Sequence, residues 1–196
     1  MSSVVLSGDT SGTVSLTVPA IAGSNTVTIP AGTGTVAVQG VSTNIVSGTA
    51  VASTSGTSID FTSIPSWVKK ITVMLTGVST NGTSNPLIQI GTSGTPTTSG
   101  YLGSANNASG ASYVNYTTGF GIASGNAANL LHGAMVLYSV TGNTWIASHS
   151  VGVSGATAAS CGGGSVTLGG TLNMVRITTV NGTDTFDAGS INILYE

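Results

Sequence analysis

Two histidines, five acids, three bases and one cysteine carry most of the titratable chemistry of this 196-residue chain. His132 and His149, set among many serines, raise the question of a hydrolytic Ser–His arrangement. Such a centre is defined by geometry and role, not by order along the chain. Neither histidine has an acid near it in sequence, and no Gly-x-Ser-x-Gly elbow is present. In a strand, Trp145, Ala147 and His149 share one face, which predicts a packing or interface role for His149. A glycosidase needs two carboxylates flanking a sugar. The acids here are Asp9, Asp60, Asp184, Asp187 and Glu196, a thin supply.

Asp184 and Asp187, with Asn181 and Thr183 beside them, offer oxygen ligands of the kind calcium takes. Their spacing does not match an EF-hand loop, and one pair leaves most of the roughly 6–8 ligands unassigned. The alternative is a turn in which the carboxylates accept backbone N–H bonds, or one of them pairs with Arg176. Gly162-Gly163-Gly164 beside Cys161 lacks the lysine and the strand–helix setting of a phosphate loop. Asn81, Asn107, Asn115 and Asn181 each head an Asn-x-Ser/Thr triplet, as chance alone gives in so Asn-, Ser- and Thr-rich a chain. The sequence therefore predicts no catalytic residue, no cofactor and no metal ion.

The aromatic residues suggest contact instead. Tyr101, Tyr113 and Tyr116 lie in a Gly/Asn/Ser-rich stretch, the setting in which rigid amphipathic rings supply contact area at low entropic cost. They are the candidate receptor or glycan contacts, although the same residues fit plain strand positions. Trp67, between Pro65 and a regular strand, is expected to be buried.

The elements that position these groups must be strands. Only 4% of residues are charged, against about 25% in ordinary domains. The helix-forming Glu, Lys and Arg give way to Gly, Ser, Thr, Asn, Ala and Val. The bases are Lys69, Lys70 and Arg176, too few for a basic patch that neutralises phosphates, so no nucleic-acid partner is expected. No apolar run approaches the roughly 20 residues that span a bilayer, and membrane insertion is not expected. The N-terminus lacks the basic region of a signal peptide. A net charge of only −2 favours self-association, a hint of quaternary structure.

Along the chain three parts are expected. Residues 1–40 read as short β pieces recurring about every eleven residues. Val14, Leu16 and Val18, then Val27 and Ile29, then Val36 and Val38 alternate with polar or small residues. Pieces this short are marginal alone, so these apolar residues are the candidate oligomer or docking positions. Residues 41–56 read as a connector or an edge strand. Residues 57–196 carry strands at 71–75, 113–122, 134–140, 144–149, 172–180, 183–186 and 190–195. Gly142-Asn143 and Asn181-Gly182 mark tight turns. Residues 126–131 allow at most a short helical turn. The fold expected is all-β, a short N-terminal β-repeat segment followed by an antiparallel, jelly-roll-like β-sandwich.

The residues also carry a resemblance. Leu6–Ala20 and Asn25–Val36 resemble the shaft or attachment segments of tailed-bacteriophage fibre and appendage proteins. Ile64–Ile90 and Val175–Ile193 resemble C-terminal domains of phage virion proteins, often labelled tail fibre. The resemblance implies a non-enzymatic protein of the virion surface, usually a homotrimer, with no catalytic motif to transfer. A tail-fibre-type appendage would contact a host surface, glycan above all, and dock on other virion proteins through the N-terminal segment. A capsid decoration (cement) protein or a head fibre is the alternative it implies.

Overall fold

The computed structural model describes residues 3–7, 13–17, 45–108, 113–155 and 158–196. Strands β1 (Ser3–Ser7) and β2 (Thr13–Thr17) pair antiparallel, with Val4 opposite Leu16 and Leu6 opposite Val14, in a unit of their own. Val14 and Leu16 thus lie on a strand as expected. Val18, Val27, Ile29, Val36 and Val38 lie outside the described residues.

The second unit carries β3 (Val46–Ser47), β4 (Val51–Ala52), β5 (Ile59–Phe61), β6 (Lys70–Thr80), β7 (Pro86–Thr92) and β8 (Thr95–Pro96). There follow β9 (Leu102–Asn107), β10 (Tyr113–Tyr116), β11 (Phe120–Gly121), β12 (Leu130–Thr141) and β13 (Thr144–Ser154). The chain continues with β14 (Ala158–Thr167), β15 (Met174–Thr179) and β16 (Phe186–Tyr195). No helix occurs among the described residues. One sheet of nine strands runs β10-β9-β14-β13-β12-β6-β16-β3, with β4 also on β16. The other, of five, runs β11-β7-β15-β5, with β8 on β7. All pairings are antiparallel.

Period-two alternation builds the larger sheet. On β13, Trp145, Ala147, His149, Val151 and Val153 are buried, and the residues between them face outward. Ile71, Val73 and Leu75 of β6 point inward with Met135 and Leu137 of β12. They meet Ile88, Ile90, Val175 and Ile177 of the smaller sheet in one apolar cluster. Each such side chain contributes about 1.5–3 kcal/mol on full burial. The architecture is the expected antiparallel all-β sandwich. Its strand order adds one detail: β12, β13 and β14 follow one another as a meander inside the larger sheet.

Several local expectations change. Gly142-Asn143 closes the β12–β13 hairpin, Thr141 pairing with Thr144 across it. Asn181-Gly182 also turns, with Gly182 at φ 68°, but it carries the chain from β15 in one sheet to β16 in the other. The stretch 113–122 is split, β10 joining the large sheet and β11 the small one. The two last strands are one, β16, which absorbs register shifts between Phe186 and Ser190. The expected helical turn is a plain turn at 126–129, and Leu130 already begins β12. β3 and β4 take the edge-strand alternative. Trp67 is not buried: it is 47% exposed on a turn, its ring against Tyr195, while Val68 enters the core in its place.

Tyr101 pins the sheets together. Its hydroxyl accepts from the Ile90 N–H at 2.9 Å and donates to the Ile90 carbonyl at 3.2 Å, and its ring meets Phe120 edge-on. The Tyr116 hydroxyl is also buried but has no hydrogen-bond partner among the described residues. Loss of a satisfied buried hydroxyl strands its partners, at roughly 1–3 kcal/mol. Tyr101→Phe is therefore expected to destabilise by about that amount, and Tyr116→Phe by clearly less. Urea unfolding of the two variants side by side checks this, and equal losses would contradict it.

Candidate contact surface

The catalytic constellations do not assemble. His132 and His149 sit on opposite faces of the large sheet, His132 opposite Gly152 and His149 opposite Met135 on paired β12 and β13. His132 Nδ1 accepts the Gly77 N–H at 3.2 Å. The His149 ring faces inward, its Nε2 3.1 Å from Ser160 Oγ. Ser160 Oγ in turn accepts the Ala123 N–H at 2.9 Å, so its hydroxyl links the histidine ring to the backbone. Ser160 is fully buried and out of reach of a substrate. The packing role expected of His149 is the one it has. Gly162 explains part of the glycine run: a Cβ there would come within 2.7 Å of His149 Cε1, so only glycine leaves room for the ring.

Asp184 and Asp187 are taken up by the loops. Asp184 accepts from the Asn181 side chain at 2.6 Å and the Ser84 N–H at 2.9 Å. These bonds, Asn181 first, hold its carboxyl below the usual aspartate range. The Asn181 side-chain oxygen accepts the N–H groups of Thr183 and Asp184, an Asx-type turn. Asp187 bonds to the Ser79 hydroxyl. Arg176 pairs with Asp60, not with either of them. Among the described residues no three His, Cys, Asp or Glu side chains group as a metal site would require.

The three candidate tyrosines part company. Tyr101 is 1% exposed and Tyr116 4%, so neither presents its ring to a ligand, a correction to the contact role expected of them. Their burial pushes both phenols up to about 12. Tyr113 is 76% exposed, opposite Asn106 at the edge of the large sheet. Strand alternation decides this split, because Val114 and Tyr116 turn inward while Tyr113 and Asn115 turn out.

Two grooves open on the surface. One, of about 370 Å³, is lined by Asn85, Asn107, Val114, Ser124, Asn126 and Asn129 among others. Its amides are partly committed, Asn85 Oδ1 accepting the N–H groups of Ser124 and Gly125. The other, of about 330 Å³, lies on the outward side of the small sheet and is lined by Gln89, Thr98, Thr118, Arg176, Thr178 and Asn181 among others. Adjacent strands β5, β15 and β7 set Asp60, Arg176 and Gln89 in one row. Arg176 Nε and Nη2 each bond an Asp60 oxygen at 2.7 Å, a planar two-point pair. Asp60 holds the guanidinium above its ordinary pKa. Gln89 donates to the Thr118 carbonyl and Thr178 to that of Thr57. Arg176 Nη1 has no partner among the described residues. A charged fork fixed among hydroxyls and amides suits a ligand rich in hydroxyl groups. The sequence signal was slight: Arg176 is the chain's one arginine, set between Val175 and Ile177 on its strand.

No protein-family model, no curated protein and no solved structure matches this chain.

His149 sets a pH dependence. Burial pushes its imidazole down from 6.5 to about 4, so between these values the folded chain keeps it neutral while the unfolded chain binds a proton. Stability from this group is complete above about pH 6.5 and falls toward pH 4, by roughly 3 kcal/mol at most. Asp184, with its lowered pKa, adds its loss only at more acidic pH. Denaturant midpoints of the wild type are expected to drop between pH 6.5 and pH 4, and His149→Gln should flatten that slope; an unchanged slope would contradict the assignment.

Proposed function

We propose that the chain is a non-enzymatic structural protein of a phage virion, a homotrimeric appendage of tail-fibre type that contacts a host-surface glycan. The observation that carries the contact role is the Arg176–Gln89 pair in its hydroxyl-lined groove, with Asp60 beside it fixing the guanidinium. The groove has hydrogen-bonding groups in fixed positions, and His149 and Asp184, which carry acid–base groups, are committed elsewhere. The resemblance of Ile64–Ile90 and Val175–Ile193 to phage virion domains supports the setting, as does the small β1–β2 unit, which is marginal unless it associates. Each groove would bind weakly, and three copies would multiply the binding through valency. Tyr113, on the edge of the other sheet, remains the one candidate tyrosine placed to touch a partner.

A capsid decoration or head-fibre role is the second reading. It is favoured by the nearly uncharged outward face of the large sheet, which exposes Leu102, Tyr138 and Ile146 in the way a shell-bound protein would cover them.

Virions labelled with an antibody to the sandwich are expected to carry label on the tail or its fibres, and label spread over the head would overturn the tail assignment. Adsorption of the isolated protein to host cells should fall about tenfold in Arg176→Ala, a loss of about 1.4 kcal/mol. The fold should hold, because a half-exposed ion pair contributes only about 0–1 kcal/mol. Adsorption should change little between about 50 and 500 mM salt, since few charges exist to be screened. Undiminished adsorption by Arg176→Ala would remove the groove from the proposal.

A further inference from the structure

The outward face of the nine-stranded sheet has an order that the glycan groove does not use. Strand pairing places Lys70, Tyr138, Ile146, Ser165 and Leu102 in a single row across five strands. Leu102 is 75% exposed and Tyr138 and Ile146 are each 42% exposed, so the row is a ridge of uncovered apolar side chains. The adjacent row is different: Val136, Ser148, Gly163 and Ser104 stand side by side. Beyond it come Ala134, Ser150 and Cys161. Over β13, β14 and β9, Ile146 and Leu102 thus stand beside a strip of small residues, Ser148, Gly163 and Ser104, while Thr72 and Val136 continue that row on β6 and β12 and Met74 and Asn106 end the row beyond.

We infer that this face is a two-fold interface between copies of the chain, the ridge of each lying in the small-residue strip of the other. The two-fold axis would lie in the interface, across the strands and between the two rows. It brings Ile146 of one copy over Ser148 and Gly163 of the second, and Leu102 over Ser104. A ridge and strip on one surface are complementary to that surface itself, which is what an isologous contact demands. Charge raises no obstacle. The one charged side chain of these rows is Lys70, which is already paired with Glu196, so no like charges are driven together.

The size also fits. Five strands about 4.8 Å apart, from six residues in β9 to twelve in β12, at about 3.4 Å per residue cover roughly 800 Å², close to the roughly 800 Å² per partner of a stable interface. Two sheets stacked face to face in this way repeat, between molecules, the packing inside the sandwich. The contact is separate from any three-fold association of the N-terminal strands. It joins chains in pairs.

The test is the mass of the full chain in solution, by sedimentation velocity or light scattering. The wild type is expected to be an even-numbered assembly. Ile146→Lys and Leu102→Lys, both at exposed positions, should halve its mass and leave the circular dichroism unchanged. Val180→Lys, at an exposed apolar residue in the turn that follows β15, should leave the mass alone. An odd-numbered wild-type assembly, or ridge variants with the wild-type mass, would overturn the inference. So would a ridge that leaves self-association untouched but is needed to bind purified capsids. Where the antibody falls on the virion decides the proposed function independently of these results.

Discussion

Everything in the sandwich rests on period two being kept over the long central strands of the larger sheet. β6, β12 and β13 run ten residues or more, and their inward positions supply Ile71, Val73, Leu75, Met135, Leu137, Trp145 and Val151 to one apolar layer. A slip of one residue would turn that whole set to solvent. The smaller sheet closes the layer from the other side with Ile88, Ile90, Val175 and Ile177. Once the layer is closed, the outward residues are free of packing demands. The surface can then be made of hydroxyls, amides and small side chains without loss of the fold.

The polar groups that enter the interior are those the layer can satisfy. Tyr101 reaches across to both backbone groups of Ile90, and His149 finds Ser160, which in turn holds Ala123. Both arrangements need backbone to come close. Gly162 gives the His149 ring its room, and Gly164, where a Cβ would lie 2.7 Å from the Gly103 Cα, lets β14 and β9 approach. The glycine run beside Cys161 is thus a packing device inside a strand. Its composition gave no strand signal because glycine, with no side chain to pack, weakens a strand on its own and marks a close backbone approach instead.

Much of the fold was legible because it is local. Alternation at 71–75, 134–140 and 144–149 marks strands that exist, and the same alternation turned His149 inward before any contact was known. Gly142-Asn143 joins two strands that pair with each other, so the turn signal and the pairing agree. Asn181-Gly182 has the same local chemistry, but its flanking strands belong to different sheets. Nothing within a few residues of a turn distinguishes these cases, since sheet membership is settled by partners far along the chain. Two of the three candidate contact tyrosines were misplaced for that reason. Tyr101 and Tyr116 were grouped with Tyr113 by composition, whereas burial is set by which face of which strand each occupies. The Asp60–Arg176 pair joins residues 116 positions apart and leaves no trace in any window.

Charge was the scarcest resource in this sequence, and its placement bears on how the protein meets its surroundings. Lys70 and Glu196 hold each other. Asp60 and Arg176 tie β5 to β15, and Asp184 and Asp187 secure the loops around β16. These charges are answered within the fold, so little field extends into solvent to steer a partner from a distance. Recognition must then come from contacts within hydrogen-bonding or van der Waals reach. Such contacts are individually weak and lose little to desolvation of ions, which suits a surface that binds through many copies at once. The same neutrality removes the repulsion that keeps ordinary domains apart. A chain built this way therefore either covers its apolar outer face or risks aggregation, and a contact that closes on itself is the solution that limits assembly to a fixed number of copies.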